Sequence, residues 1–264
     1  MKKKAYILIL LISGVILTSC FQDLGQNPPF DYPEQPTPPP IGADGQMFYL
    51  SFDEDLEDFQ SLMEAAVVGT PTFADGKSGK AYAGAANSYL TFDVANMAAP
   101  LSSSMTFTFW YKVNGTPDRA GILVIGPPHE GNPANAQNNR TAGVRIFREN
   151  AGGKQRVKAN IGNGTADSWL DGGTKADLDP ATAGWVHIAL VLSPDKASFF
   201  MAGVEVAATN FTGISWNGCD IMSIGSGAPR FNEWGHLSDL SLIDEVRIYN
   251  KALPASEIER LAAQ

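Results

Sequence analysis

Two tryptophans in polar, irregular segments are the candidate binding residues of this sequence. Trp169 lies in the glycine-rich run 163–173, and Trp234 lies in the run 229–236. Flat aromatic rings beside polar groups suit sugar binding, because a pyranose presents apolar C–H faces ringed by hydroxyls. The polar candidates that accompany Trp234 in its run are Arg230, Asn232 and His236. The alternative is that both rings anchor loops on the edge of the domain.

A long segment, 127–140, contains four asparagines and reads as an insertion that could wall such a site. Other chemistry finds little support. Gly76-Lys77-Ser78 lacks the first glycine of a phosphate-binding loop, since position 71 is proline, and His129-Glu130 lacks the second histidine of a zinc protease.

Charge narrows the possible partners further. The 264 residues carry a formal net charge of -9, and the first nineteen contain three lysines and no acid. The rest of the chain therefore has 16 basic against 28 acidic residues. A surface this acidic repels phosphate backbones and anionic headgroups, which argues against nucleic acid as a partner.

The N-terminus has the form of a secretory signal. Three lysines precede an apolar run that ends in Leu17-Thr18-Ser19-Cys20. This ending resembles the lipobox of bacterial lipoproteins, which implies that Cys20 is lipidated and becomes the mature N-terminus. Acyl chains on Cys20 would then hold the protein on a membrane. The alternative is an ordinary secretory signal with a chance cysteine.

A proline-rich stretch separates this region from the rest of the chain. Seven prolines fall within 26–41, which predicts an extended, semi-rigid spacer. We therefore divide the chain into a signal peptide (1–19), a lipidated cysteine with a linker (20–44) and one domain (45–264).

Residues of that domain alternate between apolar and polar over many short segments. In 105–113 the alternation places Met105, Phe107 and Phe109 on one face. Glycine-rich turns separate the segments, and only 254–263 has helical spacing, with Ile258 and Leu261 on one side. This pattern predicts an all-β antiparallel sandwich or barrel with a short C-terminal helix.

Six segments in order carry a family resemblance. They are Leu50–Asp53, Asp75–Ala81, Ser104–Trp110, Gly184–Ala189, Ala202–Val206 and Ile243–Leu253. Together they resemble the laminin-G-like, concanavalin A-like jelly-roll family, in the form common on Bacteroidetes-type surface lipoproteins. The resemblance implies a two-sheet antiparallel jelly roll over 45–264. It also implies burial of Trp110 and Trp185.

The resemblance also implies a structural calcium between the first and last strands, with Asp53 and Asp244 as ligands and carbonyls of the 76–80 turn as helpers. Strand parity independently places Asp244 on the same side as the apolar Leu242, Val246 and Ile248. A carboxylate in such a row needs a cation or hydrogen-bond donors. Backbone N–H groups without a metal are the alternative.

Members of the same fold that hydrolyse glucans carry alternating carboxylates on one strand, in a motif that begins with Glu-x-Asp. No Glu in this sequence is followed two residues later by Asp, so the usual glucanase motif is missing. We interpret the acidic run 53–58 as a loop. The sequence thus predicts a non-catalytic, lectin-like lipoprotein of the cell outer membrane, facing outwards, that binds carbohydrate or acts in adhesion. The alternatives are a glycoside-processing enzyme with an unrecognised carboxylate pair, a protein-interaction subunit of an outer-membrane assembly, and retention in the periplasm.

Overall fold

A computed structural model describes residues 45–53, 55–128 and 140–264, with Glu233 described by its backbone only. The signal peptide, Cys20, the linker and most of the 127–140 segment lie outside this part of the chain. In chain order the strands are β1 (Gln46–Leu50), β2 (Glu57–Asp58), β3 (Met63–Glu64), β4 (Ala66–Val68), β5 (Thr72–Asp75), β6 (Lys80–Ala83), β7 (Tyr89–Asp93), β8 (Met105–Lys112), β9 (Arg119–Gly126), β10 (Val144–Ala151), β11 (Lys154–Gly162), β12 (Asp167–Asp171), β13 (Asp177–Leu178), β14 (Val186–Leu192), β15 (Lys196–Met201), β16 (Val204–Asn210), β17 (Ile221–Ile224) and β18 (Leu242–Tyr249), followed by helix α1 (Ala255–Ala262).

Two antiparallel sheets form a sandwich. Sheet 1 has the strand order β16-β15-β14-β8-β18-β6-β5, with β1 also paired to β18. Sheet 2 has the order β12-β11-β10-β9-β17-β7-β4, with β13 also paired to β11, and β2 pairs with β3 apart from both. Sequence neighbours such as β8 and β9 lie in different sheets, so the chain crosses between layers. This is the jelly-roll architecture that the sequence predicts.

The alternating apolar residues meet between the sheets. From sheet 1, β8 sends Met105, Phe107 and Phe109 into the core, and from sheet 2, β10 sends Val144 and Ile146. Each of these side chains is fully buried. Because successive strand residues face opposite sides, Arg145 and Phe147 of β10 face away from the core, whereas Arg148 shares the inward parity of Val144 and Ile146. The apolar pattern therefore also decides which side chains reach the outer face of sheet 2.

Helix α1 covers part of the outer face of sheet 1. Ile258 and Leu261 are buried there, as the sequence predicts, against Val191, Phe200 and Tyr249. Pro254 precedes the helix and supplies no side-chain cap. The β15–β16 turn is formed by Ala202 and Gly203, which both have positive φ, as a tight hairpin requires. Within the described residues no helix is both long and apolar enough to cross a bilayer.

Three predictions about side-chain placement are wrong. Trp169 lies on strand β12, not in a loop. Trp110 and Trp185 are only partly buried, because Trp110 faces outward from β8 and Trp185 precedes β14.

The third error concerns strand β18. Asp244 does not share a face with Val246 and Ile248. The pairing of β18 with β8 shifts between Asp244 and Arg247, and Glu245 has a φ of 52°. The extra residue in this bulge reverses the facing of the residues before it relative to those after it. Ile243 therefore enters the core with Val246 and Ile248, and Leu242 and Asp244 face the other side.

Candidate functional site

The outer face of sheet 2 carries two rows of side chains across β10, β11 and β12. The rows, set by the strand register, are Arg145–Asn160–Trp169 and Phe147–Lys158–Asp171. Residues of the opposite parity, such as Ile146 and Ala159, enter the core. Aromatic, amide and charged groups therefore share one face of the sheet, on which Arg145, Asn160 and Phe147 are fully buried and Trp169 is exposed.

The connection between β17 and β18, residues 225–241, lies across this surface. Its backbone is closed by a hydrogen bond from Gly227 N to His236 O of 3.0 Å. A Cβ atom on Gly121 of strand β9 would lie 2.0 Å from Gly227 N, and a Cβ on Gly227 would lie 2.0 Å from Phe231 O. Glycine at position 121 lets the connection rest directly on the sheet, and glycine at position 227 lets the connection close on itself.

Five rings form the aromatic cluster: Phe147, Trp169, Phe231, Trp234 and His236. The centroid of Phe147 is 5.7 Å from that of Trp169 and 4.8 Å from that of His236. Phe231 stacks on His236 at 4.7 Å and meets Trp234 edge-on at 6.3 Å. Trp169 remains 43% exposed and Trp234 42% exposed. The inner rings thus support two tryptophans that face solvent.

Arg140 lies against both tryptophans. Its guanidinium carbon is 5.5 Å from the centroid of Trp169 and 5.0 Å from that of Trp234. Its Nε donates to Asp167 Oδ2 at 2.8 Å, and Asn160 Nδ2 donates to the same oxygen at 2.9 Å. Although partial burial favours the neutral acid, the bonds from Arg140 and Asn160 hold the pKa of Asp167 below its usual value.

A second polar group lies beside Phe147. Glu149 accepts hydrogen bonds from His236 Nε2 at 3.0 Å and from Lys158 Nζ at 3.1 Å. The bond from His236, with the bond and charge of Lys158, lowers the pKa of Glu149 to about 2, against the effect of burial. Lys158 Nζ is also 3.1 Å from Asp171 Oδ2. The pKa of Asp171 is lowered because backbone and Lys158 donors outweigh its partial burial.

The structure brings together only part of the predicted set. Trp169 and Trp234 face solvent on the same surface, and His236 lies beneath them, fully buried. Arg230 turns away and pairs with Asp220, its Nε lying 2.8 Å from Oδ1. Asn232 is exposed and makes no hydrogen bond within the described part of the chain.

Sequence reasoning missed Phe147, Phe231 and Arg140. The alternation in 143–147 contains a signal for Phe147. Val144 and Ile146 are apolar and face inward, so Arg145 and Phe147 must face outward. Phe231 has no such signal, because an irregular segment carries it. Arg140 is the last residue of the 127–140 segment, which we interpret from its sequence as a wall of the site without singling out Arg140.

Asp53 and Asp244, the predicted calcium ligands, both contact the 76–80 turn. Lys80 N donates to Asp53 Oδ1 at 2.8 Å. Asp244 Oδ2 accepts from Lys77 N at 2.7 Å and from Ser78 N at 3.0 Å. The two carboxylates thus meet the turn that the family resemblance implies, but they meet its N–H groups.

The Asp244 carboxylate is fully buried and receives a third amide bond, from Glu245 N to Oδ1 at 2.8 Å. Burial raises its pKa to about 6, against the effect of these amides. Backbone donors occupying both oxygens fit a carboxylate satisfied without a metal, because a cation would compete with them. Within the described residues, no three His, Cys, Asp or Glu side chains converge as a metal site.

The chain matches the sequence model of the laminin G-like branch of the concanavalin A-like lectin/glucanases superfamily over residues 84–259. Among curated proteins no sequence matches it.

Several solved structures share the fold. Domain 4 of AbnA, a GH43 extracellular arabinanase from Geobacillus stearothermophilus in complex with arabinotriose, is 22% identical with a TM-score of 0.59, covering 83% of this chain and 98% of that domain. Trypanosoma rangeli sialidase in complex with 2,3-difluorosialic acid is 15% identical with a TM-score of 0.56, covering 83% of this chain and 32% of the sialidase. The binding domain of Botulinum neurotoxin DC in complex with rat synaptotagmin II is 11% identical with a TM-score of 0.55, covering 83% of this chain and 51% of that one.

Proposed function

Because the chain belongs to the concanavalin A-like lectin/glucanases superfamily, we propose that it is a carbohydrate-binding protein that does not catalyse a reaction. The observation that carries this proposal is the pair of half-exposed tryptophans, Trp169 and Trp234, held on one surface by the aromatic cluster. Exposed rings of this size, fixed by buried neighbours and flanked by Arg140 and Lys158, form a platform on which sugar C–H faces stack.

The carboxylates beside the platform support binding over catalysis. Glycoside hydrolysis needs one carboxyl that stays protonated to act as an acid. The pKa values of Glu149, Asp167 and Asp171 are all lowered, because each receives charged or backbone donors that favour the ionised form. Asp244 has a raised pKa, but its oxygens face backbone amides of the 76–80 turn, and it belongs to sheet 1.

A glycan array probed with the purified full-length protein tests the proposal. The array includes arabinotriose and sialylated glycans, and each hit is then measured by titration calorimetry. We expect Trp169→Ala and Trp234→Ala each to weaken binding by about tenfold or more, since exposed aromatic anchors dominate such interfaces.

Phe73→Ala is the matched control for these variants. Phe73 is 49% exposed on β5, an edge strand of sheet 1, so this variant removes a ring of similar exposure from the other sheet. Equal binding by all three variants would contradict the placement of the site. An array without hits would contradict the function itself.

Binding to a protein partner is the second candidate function. Val67, Val68 and Phe73 are exposed on β4 and β5, the edge strands of the two sheets, and apolar edge strands are prone to pairing. An array without hits, together with co-purification of an envelope protein, would favour this candidate.

The location is part of the same proposal. We place the protein on the outer membrane, anchored through lipidated Cys20 and raised on the linker. A Bacteroidetes-type lipoprotein of this kind would present the tryptophans to extracellular glycans.

A further inference from the structure

Arg140 has hydrogen-bonding capacity that the described part of the chain does not use. Its Nε is bonded to Asp167 and its guanidinium faces both tryptophan rings. Within the described residues neither Nη nitrogen donates a hydrogen bond, and Nη1 is buried. Nη2 is not among the buried atoms and the side chain is 21% exposed, so Nη2 is the donor that a ligand acceptor can reach.

Trp234 is held beside Arg140 by an unusual backbone. Its φ is 57° and its ψ is 15°, the left-handed region that a bulky side chain rarely adopts. Arg119 Nη1 donates to the carbonyl of Trp234 at 3.0 Å and helps to fix this conformation. Strained residues of this kind persist where the surrounding structure holds them, and they are concentrated at ligand-binding sites.

The charge beside Arg140 is also positive. Arg145 is fully buried, and its Nη1 is 3.5 Å from the carbonyl oxygen of Arg140. Burial, and to a smaller extent repulsion from Arg140, lowers the pKa of Arg145 to about 10, against the opposing effects of Cys219 and Asp167. Arg140 and Arg145 are thus close enough to sense each other's charge, and both act on the single carboxylate of Asp167.

We propose that Arg140 selects a glycan bearing an acidic substituent, a carboxylate or a sulfate, whose oxygen accepts a hydrogen bond from Nη2. This inference rests on the proposed carbohydrate-binding function. A hydrogen bond from the charged guanidinium to an ionised oxygen is short and charge-assisted, which favours the acidic glycan over a neutral one.

The two tryptophans are close enough for one ligand to contact both. From the distances to Arg140, the two ring centroids lie at most about 10.5 Å apart. A ligand that contacts Arg140 is therefore within reach of both rings.

The overall charge of -9 does not oppose this contact at short range. Charges are screened beyond about 8 Å at physiological ionic strength, so a group that touches Arg140 senses the local guanidinium more than the distant acids. Long-range repulsion slows the approach of an acidic glycan and leaves the bound contacts intact.

Matched pairs of glycans test the inference on the wild-type protein. Each pair compares an acidic oligosaccharide with its uncharged counterpart. The pairs are an oligogalacturonide and its methyl ester, a sialylated glycan and its desialylated form, and a sulfated glycan and its desulfated form. We expect the acidic member of the bound pair to have an affinity at least about tenfold higher. Equal or tighter binding of the neutral members would overturn this inference alone, whereas no binding of any glycan would overturn the proposed function.

Two variants at one position then assign the preference to Arg140. Arg140→Met removes the guanidinium, and the ratio of acidic to neutral affinity should fall to about one. Arg140→Lys keeps the charge without the fork, and an intermediate ratio is expected. Arg260 lies on helix α1, which packs on sheet 1, away from the site. Arg260→Met removes the same charge there and should leave the ratio unchanged. A ratio that survives in Arg140→Met would overturn the assignment, and the wild-type comparison stands even if that variant does not fold.

Discussion

The buried ion pair between Arg148 and Asp239 offers a direct test of how the site is supported. Arg148 lies on β10, and Asp239 lies near the C-terminal end of the β17–β18 connection, which also carries Trp234. Both side chains are fully buried. Nη2 and Nε of Arg148 lie 2.9 Å and 3.1 Å from Asp239 Oδ1. The hydroxyls of Tyr111 and Ser241 also donate to Asp239, each at 2.6 Å. Burial, with the charge of Asp239, raises the pKa of Tyr111 well above its usual value, so its hydroxyl keeps its proton.

The substitution Arg148→Met removes the cation and leaves this carboxylate buried. Losing one partner of a buried pair costs about 3–5 kcal/mol, because the remaining charge is no longer compensated. The carbonyl of Pro117 also loses its donor from Arg148 Nη1. For a domain of this size each kcal/mol lowers the melting midpoint by about 2–4 °C, so we expect a fall of about 6–20 °C.

Thermal unfolding followed by circular dichroism at pH 7, with urea unfolding alongside, measures the loss. Asp239→Asn and the double variant complete a cycle, in which the double variant should lose at least about 1 kcal/mol less than the sum of the single losses. Arg260→Met is the matched control, since the exposed pair of Arg260 with Glu257 contributes less than about 1 kcal/mol.

Two results would refute the reasoning. One is a loss in Arg148→Met no larger than the loss in Arg260→Met. The other is strict additivity in the cycle, which would mean that Arg148 and Asp239 do not stabilise each other. Either result would show that contacts other than the Arg148–Asp239 pair are sufficient to hold the connection on sheet 2.

Two further predictions concern pH and calcium. Burial and the nearby charge of Arg247 lower the pKa of His187 from 6.5 to about 4, so the folded protein favours the neutral imidazole. The stability that this side chain contributes is therefore present above pH 6.5 and is lost as the pH falls through 4. The wild type should lose up to about 3 kcal/mol more than His187→Leu between pH 7 and pH 4, measured by urea unfolding, and equal losses would contradict this. Calcium at Asp53 and Asp244 stays a prediction of the family resemblance: a midpoint raised by calcium over chelator supports it, and an unchanged melt assigns both carboxylates to backbone amides.

Much of the fold follows from local sequence. Alternation in 105–113 is sufficient to place Met105, Phe107 and Phe109 in the core, because strand geometry sends alternate residues to opposite faces. The apolar run 221–224 is sufficient to predict strand β17, and the spacing of Ile258 and Leu261 is sufficient to predict the C-terminal helix. Trp169 and Trp234 could be chosen by residue type and polar surroundings, without knowledge of the strand that carries Trp169.

Only the tertiary structure decided how these residues combine. The bulge at Glu245 reverses the parity of Asp244, and no local pattern announces one extra residue in a strand. Arg148 and Asp239 are 91 residues apart in sequence, and Arg140 reaches Trp234 only because the β17–β18 connection lies on sheet 2. The sequence determined which side chains leave the core, since that depends on alternation between neighbours. Packing between distant segments determined which of them meet.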